Sequence, residues 1–456
     1  MAPVPAPAPP PPSPGFGEKV ASGVGGLGER IRIIFSRDAS RNEGPDLKPV
    51  RKIRMGALLT GLIAGLLLLG GVVVFLFPYN AYRPDIERAL AASWGVPVRV
   101  KEVQARFLPR PGLLLSGVEF GSDGDARFGE VLIPQLLSLG SGDRTIRDLV
   151  ISNAVVKADF LAKLDAAGKN MVGGVGGFQV RHATLHNLSI VVGELHLRPY
   201  NGEAVFGKSG LEKISLENEE RTLRFDLIPR AGGADLSAQG FAWKPGAEES
   251  AILFASIQAR GLVQAGKVTL SEVDANVLNG NVVGNLSLDW TQGLKMAGEL
   301  QLTRLSARQI SQTFKTGADV DGDVSGMMRY AGAGTQLSEL WKSLDATLAM
   351  TMTRGAVNGV DLGEAARRGG GKSVGGGSTR FDRLNCTLRI TPQYVSCPDI
   401  DLDAGLMSAT GQFLARPDKS VDATLQVQIK SSVMPIRATT RVTGTLPMLQ
   451  TAASGK

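Results

Sequence analysis

The segment 55–77, MGALLTGLIAGLLLLGGVVVFLF, carries no charged residue. About 20 consecutive apolar residues suffice to cross a hydrocarbon core, whereas runs of about 10–14 are the usual mark of a buried soluble helix. The segment therefore reads as a transmembrane helix. A cleaved signal peptide has a shorter apolar stretch near the start of the chain, followed by a small-residue cleavage site. Here 54 residues come first, and Pro78, Tyr79 and Tyr82 follow; tyrosines suit a membrane–water interface. Arg37, Arg41, Lys48, Arg51, Lys52 and Arg54 precede the run, against Arg83 and Arg88 after it. The positive-inside rule then places the N-terminus in the cytoplasm and residues 79–456 across the membrane. In a Gram-negative cell this is a single-pass inner-membrane protein with a periplasmic body. Gly61 and Gly65 add the small-residue spacing of a helix-pairing face.

Charge is distributed unevenly. Residues 1–54 hold nine of the 50 Lys/Arg and five of the 43 Asp/Glu, which leaves 41 basic and 38 acidic residues for the rest. A body so nearly balanced lacks the electrostatic footprint of a nucleic-acid binder. Residues 1–14 contain eight prolines and no charge, so residues 1–54 are expected to be a disordered, Pro-rich cytoplasmic leader.

Beyond the apolar run one short helix is expected. Pro84 suits its first turn, Asp85 and Glu87 favour its N-terminal dipole, Ile86, Leu90 and Trp94 line one face, and Gly95 stops it. From Val96 onward a two-residue period takes over. Leu294, Met296, Gly298, Leu300 and Leu302 alternate with Lys295, Glu299, Gln301 and Thr303; Val421, Ala423, Leu425, Val427 and Ile429 alternate with Asp422, Thr424, Gln426 and Gln428. Leu348, Met350 and Met352 share one parity as well. Such segments are strands with one apolar and one polar face. Turn clusters at 122–125, 279–281 and 319–323 separate them, and short helices are expected near 306–314, 337–344 and 362–367.

The fold class is thus mainly β: one N-terminal transmembrane helix, then an elongated, twisted, largely antiparallel β-sheet groove with a few short helices. The expected organisation is a leader at 1–54, the membrane helix at 55–78, β regions at 79–200 and 201–445, and a flexible tail at 446–456.

Chemical motifs are sparse. Gly202, Gly207, Lys208 and Ser209 fit a phosphate-loop pattern literally. Val205 and Phe206 alternate like a strand, however, and no helical stripe follows, so the segment reads as a hairpin. His182 and His186 share a strand face without a cysteine or carboxylate cluster at ligand spacing. No catalytic, cofactor or metal site is expected, and no enzymatic activity. Cys386 and Cys397 flank a hairpin centred between Thr391 and Pro392 and are candidates for a cross-strand disulfide in an oxidising compartment. The other reading is two small buried hydrophobes.

Several stretches resemble the AsmA family. Residues 81–87 and 94–100 look like its opening helix and first strand, followed by the segment 107–120. Residues 127–151, with Leu136, Leu137, Ser138 and Leu139, resemble its next unit. Residues 337–344, then 353–362 with Gly355, Gly359, Val360, Asp361 and Leu362, then 379–384 and the hairpin ending at Gly411, resemble its C-terminal part. The resemblance covers most of 79–445. It implies an inner-membrane-anchored groove that handles phospholipid in support of outer-membrane and envelope biogenesis. Leu294, Met296, Leu300, Leu348, Met350, Leu425 and Val427 are the candidate lining residues. The alternative is a non-enzymatic scaffold for envelope proteins during outer-membrane or secretion-complex assembly.

Overall fold

The computed structural model describes residues 64–65, 77–106, 111–134, 145–161, 163, 179–208, 210–245, 252–432 and 434–454. The chain divides into Met1–Val72 and Val73–Lys456, and the description below concerns the second unit. The expected leader lies outside the described residues, as do the turn at 136–139 and the apolar run at 55–77 apart from Ala64, Gly65 and Phe77. Among the described residues no helix is long and apolar enough to cross a membrane.

A short 3-10 turn, Tyr79–Tyr82, leads into helix α1 (Arg83–Trp94), which ends on Gly95 in the left-handed conformation at φ 67°. Among the described residues twenty-three strands then form one open, twisted sheet. Its first part holds β1 (Val98–Arg106), β2 (Gly112–Phe120), β3 (Ala126–Pro134) and β4 (Thr145–Lys157), then the short helix α2 (Ala158–Leu161). Next come β5 (Gln179–Val192), β6 (Leu195–His196), β7 (Tyr200–Gly207), β8 (Gly210–Asn218), β9 (Leu223–Arg230) and β10 (Gly233–Trp243). The middle holds β11 (Phe254–Gln264), β12 (Lys267–Val277), β13 (Gly280–Asp289) and β14 (Leu294–Ser306). Helix α3 (Ala307–Thr313), β15 (Val320–Gly334), helix α4 (Leu337–Lys342) and β16 (Asp345–Asn358) follow. Helix α5 (Leu362–Arg368), β17 (Ser373–Gly375), β18 (Ser378–Ile390) and β19 (Val395–Ala404) come next. The last strands are β20 (Met407–Ala415), β21 (Ser420–Ile429), β22 (Ile436–Thr445) and β23 (Met448–Ser454). The four longer helices stand where the sequence periodicity places them.

Pairing follows chain order with three departures. β4 and β5 run parallel, the two-residue β6 is a spur on β5, and β17 pairs with β23 while β16 pairs with β18. Both ends of the sheet are covered. Asn80 and Glu87 accept the backbone N–H groups of Val103 and Val100 at 2.9 and 2.8 Å, which blunts the β1 edge. At the other end β17 covers β23.

Two expectations need correction. Residues 448–454, expected in a flexible tail, form β23, because Leu449, Thr451 and Ala453 continue the inward parity of β22. No division falls at 200/201: β7 begins at Tyr200 and pairs with β5, and the first core continues across it.

Burial falls into two clusters. The first gathers residues of β1–β5 and β7–β10 with Trp290, Leu294 and Leu340. Ile86, Leu90 and Trp94 of α1 pack on it; Trp94 lies tilted against Phe120 and stacked on Phe160, at 5.0 and 5.5 Å between ring centres. The second gathers β16 and β18–β23 with α3 and α5 and the far ends of β12–β15. Strands β11–β14 run from one cluster to the other.

One carboxylate ties distant turns to the first cluster. Asp159 of α2 accepts the Gly266 backbone N–H at 2.7 Å and the Trp290 indole N–H at 3.1 Å. These turns join β11 to β12 and β13 to β14. Asp159→Ala strips both donors of a charged acceptor, each such bond being worth about 1.5–3 kcal/mol. The expected result is a loss of about 2–4 kcal/mol in urea unfolding, with Asp159→Asn milder because one carbonyl oxygen remains.

Candidate functional site

The strand parity of β11–β16 builds one apolar face, and backbone pairing aligns it into rows. One row runs Ala259, Val273, Gly284, Leu300, Met328, Leu348 and Leu388 across seven strands. A second runs Val263, Val268, Leu288, Met296 and Gly332. The reverse face carries Glu299, Arg329, Thr347 and Arg389 in register. The Glu299 and Arg329 side chains pair there at 2.8 Å.

Depth varies along this face. Where β11–β14 enter the clusters their side chains are buried, as at Val263, Leu294, Val282 and Leu302. Along the middle of these strands Leu270, Leu286, Met296, Leu300 and Met328 are only half-buried, Met296 packing on the first cluster and Leu300 and Met328 on the second. These five side chains form an apolar floor that the described residues do not finish covering.

The seven candidate lining residues all lie on this sheet face, but at different depths. Met296, Leu300 and Met350 are half-buried on it. Leu294 belongs to the first cluster, and Leu348, Leu425 and Val427 to the second. Leu425 and Val427 share that cluster with Leu362, Ala365 and Ala366 of α5, so helix covers the sheet there. Parity assigns a residue to a face; which element lies over that face assigns its depth.

Tyr330 is a floor residue that the sequence reading leaves out, although it shares the parity of Met328. It pairs with Gly298, and a β-carbon on Gly298 would meet the Tyr330 hydroxyl at 2.6 Å. The hydroxyl donates to the Asn285 carbonyl at 3.2 Å. Burial pushes the phenol up to about 12 from 10.0, because the low-dielectric surroundings disfavour phenolate. The folded state then retains a proton that the unfolded chain releases. Stability contributed by this group is present below pH 10.0 and is lost as pH rises to about 12. In denaturant titrations over that window, Tyr330→Phe is expected to lose stability less steeply than the parent chain.

Cys386 and Cys397 are joined by a disulfide, with Cα atoms 6.0 Å apart. They are not directly opposed. The turn centres later than expected, with Ile390 opposite Val395, and a bulge interrupts the ladder between Asn385 and Arg389. Thr391 holds this longer turn by accepting the N–H groups of Gln393 and Tyr394. The bulge lets the two cysteines meet diagonally.

Other sequence features resolve simply. The phosphate-loop pattern is the β7–β8 hairpin, its Ser209 outside the described residues. His182 does meet carboxylates: Asp148 and Glu203 lie 3.3 and 3.2 Å from its two ring nitrogens. They contact opposite ends of the ring and do not converge on a common point. Among the described residues only Cys386, Cys397 and Asp399 cluster as metal ligands do, and the two sulfurs are already bonded to each other. A cleft of about 570 Å³ on the polar side of β9–β12 is lined by Asp226, Arg230, Asp235, Arg260 and Glu272. Ion pairs of Arg230 with Asp235 and Arg260 with Glu272 occupy its charges.

Residues 252–398 match the model of the AsmA family. That stretch is AsmA-like. The match begins just before β11 and ends in β19, so it takes in all of the half-buried floor. The segments at 81–151 that resemble the opening of AsmA proteins lie outside it. No curated protein and no solved structure matches the chain.

Proposed function

We propose that this protein is a member of the AsmA family and handles phospholipid on the apolar floor of β11–β16, in support of outer-membrane and envelope biogenesis. Anchored in the inner membrane by residues 55–77, the chain holds its sheet in the periplasm. Acyl chains lie along Leu270, Leu286, Met296, Leu300 and Met328 while head groups stay in water. The observation that carries this reading is the half-burial of an apolar surface that runs from one core to the other. An open sheet must bury or use its apolar face, and apolar surface left partly open to solvent is a candidate binding surface. The function requires no reacting groups, only a surface that spares an acyl chain contact with water.

A photo-crosslinking residue at Met328, in full-length protein within membranes carrying phosphorus-labelled phospholipid, tests the proposal. The expected product is a labelled lipid adduct. A protein adduct without lipid favours the scaffold reading, in which a partner segment covers the same floor.

A further inference from the structure

The last part of the apolar face is closed by a segment with an unusual path. After β16 the chain forms α5, reaches the far edge of the sheet to pair β17 with β23, and returns to pair β18 with β16. Its root is firm. Thr379, itself buried, donates to the Val360 carbonyl at 2.7 Å and accepts the Leu362 N–H at 3.0 Å; Gly359 N–H bonds the Gly377 carbonyl at 2.9 Å. The outer part is held less. β17 contributes three paired residues, and Gly371 N–H reaches the Ala453 carbonyl at 2.9 Å. The ion pairs of α5, Arg367 and Arg368 with Glu364, stay within the helix. Gly369, Gly370 and Gly371 all adopt positive φ with open space around them, a backbone that only glycine takes up without strain.

The surface beneath α5 is also imperfectly sealed. Thr440 and Thr451 are fully buried on this face, and neither hydroxyl has a hydrogen-bond partner among the described residues. Thr440 sits between Leu425 and Ala453, and Thr451 beside Val442. A buried hydroxyl without a partner bears its full desolvation penalty, whereas an apolar group of the same shape would not. Two hydroxyl donors beside an apolar floor are the complement of an acyl ester, with a hydrocarbon chain and a carbonyl acceptor at its head.

We infer that the seat of α5 is a second lipid site, for the acyl-ester portion of a phospholipid, and that α5 with β17 is a strap which the lipid displaces. This rests on the phospholipid reading of the floor and extends it to the end of the sheet. The acyl chain lies on Leu425 and Val427, and the ester carbonyl accepts from Thr440 or Thr451.

The test uses the full chain with photo-leucine in place of leucine, in bilayers of phosphatidylethanolamine and phosphatidylglycerol, with adducts mapped by mass spectrometry. Intact phospholipid adducts are expected at Leu425 as well as at Leu286 and Leu300. Thr440→Val with Thr451→Val removes the hydroxyls but preserves shape. It is expected to lower capture at Leu425 by about tenfold, to slow hydrogen exchange in α5, and to leave capture at Leu300 unchanged. An unfolded variant would be recognised by faster exchange throughout. Capture at Leu300 with none at Leu425, or capture at Leu425 that the double variant leaves unaltered, overturns the strap. Capture at neither overturns the floor on which it rests.

Discussion

Leu300→Asp is expected to lower phospholipid capture at Met328 by more than about tenfold while destabilising the fold far less than Val427→Asp does. Leu300 pairs with Met328 and Gly284 in the half-buried row, so a carboxylate there keeps contact with water in the unoccupied protein. An acyl chain laid over it would strip that water, and desolvating an unpaired charge costs several kcal/mol, each 1.4 of them about a tenfold loss of binding. Val427 offers the contrast, being 2% exposed within the second cluster. Asp at that position forces a charge among Leu425, Ala438 and the α5 alanines and is expected to unfold the last strands. Circular dichroism melting separates the two. If Leu300→Asp unfolds the protein as Val427→Asp does, the floor is core.

The second large effect concerns the Cys386–Cys397 pair. The disulfide closes a short loop in β18 and β19, and both residues are buried against Leu348, Ile400 and Leu402. Cross-links over such loops typically contribute about 2–4 kcal/mol by restricting the unfolded chain. Cys386→Ala with Cys397→Ala also deletes two buried sulfurs. The urea midpoint is expected to fall accordingly, and reductant is expected to shift the parent chain but not the variant. A midpoint indifferent to both would mean that the bond bears no load in the fold.

Much of the sheet was legible from the two-residue period, because parity alone decides which face a strand residue joins. The helices near 307, 337 and 362 were legible from the breaks in that period. Register was less so. The β12–β13 turn falls on Leu278 and Asn279, both at positive φ, not on the Asn279 to Asn281 cluster that composition suggests. Strand β17 carries too few residues to show any period, and β23 shows its parity only beside β22. The floor was half legible. Leu294 and Leu300 are indistinguishable in pattern, yet Trp290, Asp159 and α4 close the sheet around one, and among the described residues the other stays only half-buried. Depth depends on contacts from residues more than a hundred positions away, such as Asp159 on Trp290, and no local pattern encodes them.

The central claim is that lipid occupies one face of the middle strands and not the other. Photo-crosslinkers placed in turn at Leu286, Leu300 and Met328, and at Glu299 and Arg329 on the reverse face, measure this most directly. The account predicts phospholipid adducts at the first three and background levels at the last two. Equal labelling of both faces, or crosslinks to protein alone at Leu286, Leu300 and Met328, would contradict it.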